Sequence, residues 1–374
     1  MKIGIITFHA AHNFGSMLQA YALQEYLKKE GHEVYIINFQ PNSQKALYSS
    51  IFNITHLRNI RDLILRILFS PKSIIHLCKK RSLFRIFLSK YLDLTAEFNN
   101  INELKGAKFN FDIVITGSDQ IWNLEAADFS EAYFGAFITS PNTKKIAYAP
   151  SLGPNPEKLD KKHLHKLLQN YTAISVREER AKLFLESNKL ASRVQLVLDP
   201  TMLLLANDYN RIISQEPIVK GNYIYYYTPG PKPRHEFLQI AKKISLDTGL
   251  PIICDTPYLF AKQYKLTYQP AVGPCEFLNL IKYATIVCGA SFHLMVFSIL
   301  FKKDFYCING DVDSRMNNLM KLFNLEERIL STKDMTGFKF KHITNYDEIE
   351  LKLNEIRKSS SNFIKYSCKS HNVK

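Results

Sequence analysis

The run Thr116-Gly117-Ser118-Asp119-Gln120-Ile121-Trp122-Asn123 holds a glycine, then three hydrogen-bonding side chains, then the only tryptophan of the 374-residue chain. It follows Phe111-Asp112-Ile113-Val114-Ile115, an apolar segment that reads as a buried strand. Glycine lets the backbone turn sharply or lets a ligand approach it closely. The hydroxyls of a sugar take hydrogen bonds, and its C–H face packs on indole. In open α/β sheets ligands bind at the carboxyl ends of the strands. The competing reading makes Trp122 a core residue and Asp119 a helix cap, since indole is usually largely buried.

A second candidate is Ser291-Phe292-His293, after the strand Thr285-Ile286-Val287-Cys288 and the small turn Gly289-Ala290. Ser291 suits an N-cap, which puts His293 in the first turn of a helix. The free N–H groups there attract phosphate or carboxylate. A histidine so placed can exchange a proton near neutral pH; the alternative is a histidine that merely packs under a loop. Arg177 closes the strand Ala173–Val176, where a guanidinium can clamp an anion in bidentate fashion. The alternative there is an ion pair with Glu178 or Glu179. Arg315 opens a later helix, either as an anion ligand or as a solvated charge. Near the amino terminus, the loop His9-Ala10-Ala11-His12-Asn13-Phe14-Gly15-Ser16 joins the first strand to a helix expected at Ser16–Glu30, and its Gly-Ser end suits an anion or a sugar.

Positioning these groups requires strands alternating with helices, the pattern of parallel βαβ units. Strands are expected at Lys2–Phe8, Glu33–Phe39, Phe111–Thr116, Lys145–Ala149, Ala173–Val176 and Val194–Leu198. After a polar stretch at 206–221 a second series begins with Asn222–Thr228. It continues at Pro251–Cys254, Thr285–Cys288 and Asp304–Ile308. The expected division is 1–205, with a basic helical insertion at about 42–98, and 206–374, with a terminal helix free to pack back on the first domain. The length suits roughly two domains. There is no G-x-G fingerprint and no Walker A loop.

The six cysteines form no CxxC pair and read as small buried hydrophobes of a reducing compartment. No metal site is expected. No apolar run approaches the roughly 18–20 residues of a membrane span, and a cytoplasmic protein is expected. The formal charge of +15 points to anionic partners. Lys45 to Lys90 is rich in Lys and Arg with one acid, Asp62. Arg58, Arg61 and Arg66 flank apolar residues at helical spacing, a pattern that suits an anionic membrane surface or a packed helix with solvated charges. Nucleic acid is not expected, because no recognition motif accompanies the charge.

Taken in order, several marks resemble the polysaccharide pyruvyl transferase family. They are Asn13-Phe14-Gly15-Ser16 with its helix, Gly117–Asn123, Ser151-Leu152-Gly153, Ser175-Val176-Arg177-Glu178, Asp199-Pro200-Thr201, Ser291-Phe292-His293 and Ser314-Arg315. The resemblance implies two Rossmann-like domains facing a cleft, similar to GT-B. It implies transfer of pyruvate from phosphoenolpyruvate to a sugar of a surface-polysaccharide precursor, such as a capsule or exopolysaccharide unit. The product would be a pyruvate ketal, with phosphate released and no cofactor. By position, Arg177 and His293 match the family's functional arginine and histidine, and Arg315 matches more loosely. Phosphoenolpyruvate would then be held by Arg177, Ser291, His293 and Arg315. The acceptor would meet Asn13, Gly15, Ser118, Asp119, Gln120 and Trp122, and the expected acceptor is a lipid-linked oligosaccharide at the inner face of the membrane. Leu294 stands where relatives often have glycine. The rival expectations are a GT-B glycosyltransferase using a nucleotide sugar, and a non-catalytic membrane-surface protein.

Overall fold

The computed structural model describes residues 1–48, 71–230, 234–256, 263–331 and 337–369. Arg58, Arg61 and Arg66 lie outside the described residues. The chain divides into two compact units. The first comprises Met1–Phe69, Ile86–Leu204 and Asn354–Lys374; the second comprises Ser70–Arg85 and Leu205–Leu353. Residues 70–85, expected in the first domain, therefore group with the second. The helix Pro71–Tyr91 belongs to both units, as does the helix Tyr346–Lys369.

The first unit is built on a parallel sheet of strands β1 (Lys2–Ile6), β2 (Glu33–Ile36), β3 (Ile113–Thr116), β4 (Lys144–Ala147), β5 (Tyr171–Val176) and β6 (Val194–Leu196). Their order is β2-β1-β3-β4-β5-β6. Central strands covered on both faces must be apolar throughout, which is why β1 and β3 read as Ile-rich runs rather than alternating ones. Ile5 lies beside Ile36 on one side and Ile115 on the other. Asn13 starts the helix Phe14–Lys29 by accepting hydrogen bonds from the N–H groups of Gly15 and Ser16, at 2.8 and 3.3 Å. Residues from Asn354 onward pack on this unit: Ser360 Oγ accepts from Leu198 N at 2.9 Å, and Arg357 Nε donates to Met202 O at 2.7 Å.

The second unit holds β7 (Ile224–Tyr227), β8 (Ile252–Cys254), β9 (Leu266–Tyr268), β10 (Ile286–Gly289), β11 (Asp304–Ile308) and β12 (Ile329–Leu330). They too are parallel, in the order β9-β8-β7-β10-β11-β12. Counted within the unit, that is 3-2-1-4-5-6, the order of a dinucleotide-binding fold. One face buries Ile224, Tyr226, Ile286, Cys288 and Tyr306. Cys288 and Cys307 are buried and unpaired. Burial pushes both thiols up, which makes them inert packing groups.

In each sheet the order reverses once, between β1 and β3 and between β7 and β10. A loop follows each of those strands, and ligands in such folds bind at these reversals. Both reversals share one device. A Cβ on Gly117, just past β3, would lie 1.9 Å from the carbonyl oxygen of Tyr148. A Cβ on Gly289, at the end of β10, would lie 1.9 Å from that of Tyr227. Gly117 also has φ +133°, a region closed to most side chains. Gly289→Ala is expected to destabilise the protein by about 1–3 kcal/mol through overpacking. An unchanged midpoint in urea unfolding would contradict that close approach.

Candidate functional site

At the β1/β3 reversal, backbone and side chains from several segments lock together. Ser118 N donates to Gln19 Oε1 at 3.1 Å, and Thr7 Oγ1 donates to Ser118 O at 2.9 Å. Gln19 Nε2 donates in turn to Thr7 Oγ1 at 2.9 Å. Ser118 Oγ donates to Ala149 O at 2.8 Å. Asp119 has a positive φ of 70° and accepts from Ser16 Oγ at 2.5 Å and from Gln120 N at 2.8 Å.

Arg177 enters this network from the end of β5. Only 2% of its side chain is exposed. Its guanidinium meets Asp199 Oδ2 at 2.6 Å, Glu178 Oε1 at 2.9 Å and Asp119 Oδ1 at 3.7 Å. Burial works against its charge, but Glu178, Asp199 and Asp119 outweigh it, so the guanidinium is held more firmly protonated than usual. Asp199 is itself fully buried, and its second oxygen accepts from Thr201 N and Oγ1 at 3.0 and 2.7 Å.

Several expected ligand contacts are thereby corrected. Trp122 is fully buried, stacked on Phe134 at 5.0 Å and edge-on to Tyr171 at 5.6 Å. Its Nε1 points to the carbonyl of Tyr133. It is a core residue and offers no platform to a sugar. Ser118 is fully buried, and its groups are committed to the protein. Gly15 is buried, and Asn13 serves as the helix cap. Arg177, expected as an anion clamp, instead holds three carboxylates. Of the run's expected acceptor residues, Asp119 is 9% exposed and Gln120 is half-buried. Ser16, Gln19 and Asp199 belong to the network, although in the sequence Ser16 and Asp199 stood out only as parts of short motifs and Gln19 had no assigned role. Each is an ordinary helix or loop residue until the fold gives it a partner. His9 is buried, with Nε2 2.9 Å from Asn38 Oδ1 and Nδ1 3.2 Å from Thr7 O.

At the β7/β10 reversal, Ala290 N donates to Tyr227 O at 3.2 Å and turns the chain into the helix Phe292–Leu300. Ser291 takes the extended N-cap conformation, but its side chain makes no capping hydrogen bond. His293 is 8% exposed, with its ring edge-on to Phe292 at 5.2 Å. Leu294 is fully buried, its Cδ2 close to Gly289. Glycine at 294 is therefore not required by space, and leucine there fills the turn.

Arg315 is engaged by its own cap residue. Nε and Nη2 reach the two carboxylate oxygens of Asp313 at 3.1 and 2.7 Å. Burial alone would raise the Asp313 carboxyl, but the fork to Arg315 outweighs it and holds it below its usual range. Arg328 is structural: its side chain is buried and donates to the carbonyls of Lys341 and His342. Among the described residues no group of three or more His, Cys, Asp or Glu is placed to hold a metal. No described helix is long and apolar enough to cross a membrane.

The model of the polysaccharide pyruvyl transferases matches residues 13–312. The chain belongs to that family. The matched span covers the Asn13 cap, the 117–123 run, Arg177, Asp199 and His293, whereas Arg315 lies beyond it. Among curated proteins no sequence match was found. In fold, the chain is similar to a Listeria monocytogenes protein assigned as a UDP-N-acetylglucosamine 2-epimerase, at TM-score 0.51 and 10% identity over 97% of this chain and 90% of that one. It is likewise similar to the UDP-N-acetylglucosamine 2-epimerase of Rickettsia bellii, at TM-score 0.50 and 12% identity over 98% of each. The E. coli heptosyltransferase WaaC matches at TM-score 0.41 and 12% identity, over 82% of this chain and 88% of that one. The family member thus has two parallel six-stranded sheets with helices, the GT-B type of fold.

Breaking the Arg177 cluster leaves buried carboxylates without a counter-charge, so Arg177→Met is expected to cost about 3–5 kcal/mol in urea unfolding. A midpoint equal to wild type would show that the cluster carries no stability. Burial lowers the imidazole of His9 below its ordinary value of 6.5. A group lowered in the folded state contributes stability above its unfolded pKa, and that stability is lost as pH falls. The melting temperature is therefore expected to drop below about pH 6.5, and His9→Gln should flatten that slope.

Proposed function

We propose that this family member transfers the pyruvyl group of phosphoenolpyruvate to two hydroxyls of a sugar in a surface-polysaccharide precursor. The observation that carries the reading is the family match, which takes in His293 in the first turn of its helix. The chemistry of the two reversals supports a division of labour. Around Arg177, three carboxylates face one guanidinium, a balance that suits neutral hydroxyls and repels a phosphate-bearing donor. At Ser291–His293, the positive end of the helix dipole and an imidazole suit an anion. We therefore assign the donor to Ser291 and His293, and the acceptor to Asp119 and Gln120. Arg177 positions Asp119.

The reaction balances without a cofactor. A proton goes to the methylene carbon of phosphoenolpyruvate, which makes C2 electrophilic. One sugar hydroxyl forms a C–O bond to C2 and loses its proton. The C–O bond to phosphate then breaks, and the second hydroxyl closes the ketal. Two hydroxyl protons are released: one replaces the proton given to the methylene, and one leaves on phosphate. His293 is the general acid and base of these transfers. A lipid-linked oligosaccharide is the proposed acceptor.

His293→Ala is expected to lower turnover by about 10²–10⁴-fold, measured as phosphate released from phosphoenolpyruvate with a sugar acceptor. Near-normal turnover would overturn the assignment. Thermal stabilisation by UDP- or GDP-sugars, with none by phosphoenolpyruvate, would replace the donor altogether.

A further inference from the structure

The helix Pro71–Tyr91 contains no acidic residue. Its inner side is committed to packing: Phe84 and Phe87 are buried, and Lys80 Nζ pairs with the buried carboxylate of Asp255 at 3.0 Å. The ring of His76 lies 5.8 Å from that of Tyr268. The insertion is therefore held by specific contacts along this part of its length.

The outer side has a different order. At 3.6 residues per turn, Ile75 and Ile86 fall on one line, about three turns apart. They are 56% and 48% exposed, unusual for isoleucine on a helix that already buries another face. Lys79 and Lys90 form a second line beside them, with the same spacing, and Arg85 flanks the other edge. All three cations are exposed. Lys90 Nζ lies over the Tyr91 ring at 5.0 Å. An apolar line bordered on both sides by cations, with no acid on the helix, matches a surface that is negative outside and apolar beneath.

We propose that this face of the Pro71–Tyr91 helix docks on an anionic lipid surface, with Ile75 and Ile86 entering the headgroup boundary and Lys79, Arg85 and Lys90 pairing with headgroup phosphates. The docking is independent of the reaction assigned above. A solvated charged face would explain the cations alone; the two isoleucines in line between them are what it leaves unexplained.

The test is co-sedimentation of the full-length protein with vesicles of phosphatidylcholine alone, or of phosphatidylcholine with phosphatidylglycerol. Wild type is expected to pellet with the second and not with the first. Each surface cation is worth about fivefold in partitioning, so Lys79→Gln/Arg85→Gln/Lys90→Gln should weaken binding about a hundredfold. Ile75→Ser/Ile86→Ser should remove the fraction that survives high salt. Inorganic phosphate should not displace the protein, which separates a lipid surface from a free-phosphate site. Both variants should keep their unfolding midpoint and their turnover on a water-soluble acceptor, so a failure here is distinguishable from a failure of the proposed reaction. Equal pelleting by wild type and the triple variant, or no pelleting of wild type on phosphatidylglycerol, overturns the proposal.

Discussion

The Arg177–Asp199 ion pair, buried on both sides, is the constraint on which the first unit's functional end depends. A guanidinium out of water is tolerated only when carboxylates surround it, and here three do. Because those carboxylates come from different segments, the pair fixes the end of β5 against the loop after β3 and the turn at Asp199-Pro200-Thr201. The helix after β1 joins through Ser16 and Gln19. Loops that carry function are normally mobile. This one is held from several directions, which leaves Asp119 a defined orientation.

The second unit reaches a comparable end with less polar means. Its reversal is set by close packing, with Gly289 against the Tyr227 carbonyl and Leu294 against Gly289. The ionic lattice holds a carboxylate in place, whereas the packed turn sets the start of the helix Phe292–Leu300.

Much of this was legible in the sequence. The central strands were, because burial on both faces demands uninterrupted apolar runs, and β11 matches its expected span at Asp304–Ile308. The edge strands β9 and β12 were not, since three and two residues are too few to show a period. The 117–123 run stood out in the sequence, but the places of its members in the fold did not. Trp122 and Ser118 look like ligand groups by type, and only the fold shows their partners in the protein. The Arg177 alternative, an ion pair with Glu178, was readable from adjacency. The shorter contact, to Asp199, was hidden by the 22 residues that separate it from Arg177.

The Lys80–Asp255 pair bears on how the chain can be taken apart. Asp255 has 1% of its side chain exposed, and its Oδ1 has no hydrogen-bond partner among the described residues. Among the described residues its cation comes from 175 positions earlier in the chain. A gene fragment beginning at Leu205 would encode every strand of the second sheet and still lack that counter-ion. Domain dissection, split reporters and chimeras between relatives should therefore carry residues 70–85 along with 205–353, as one non-contiguous cassette.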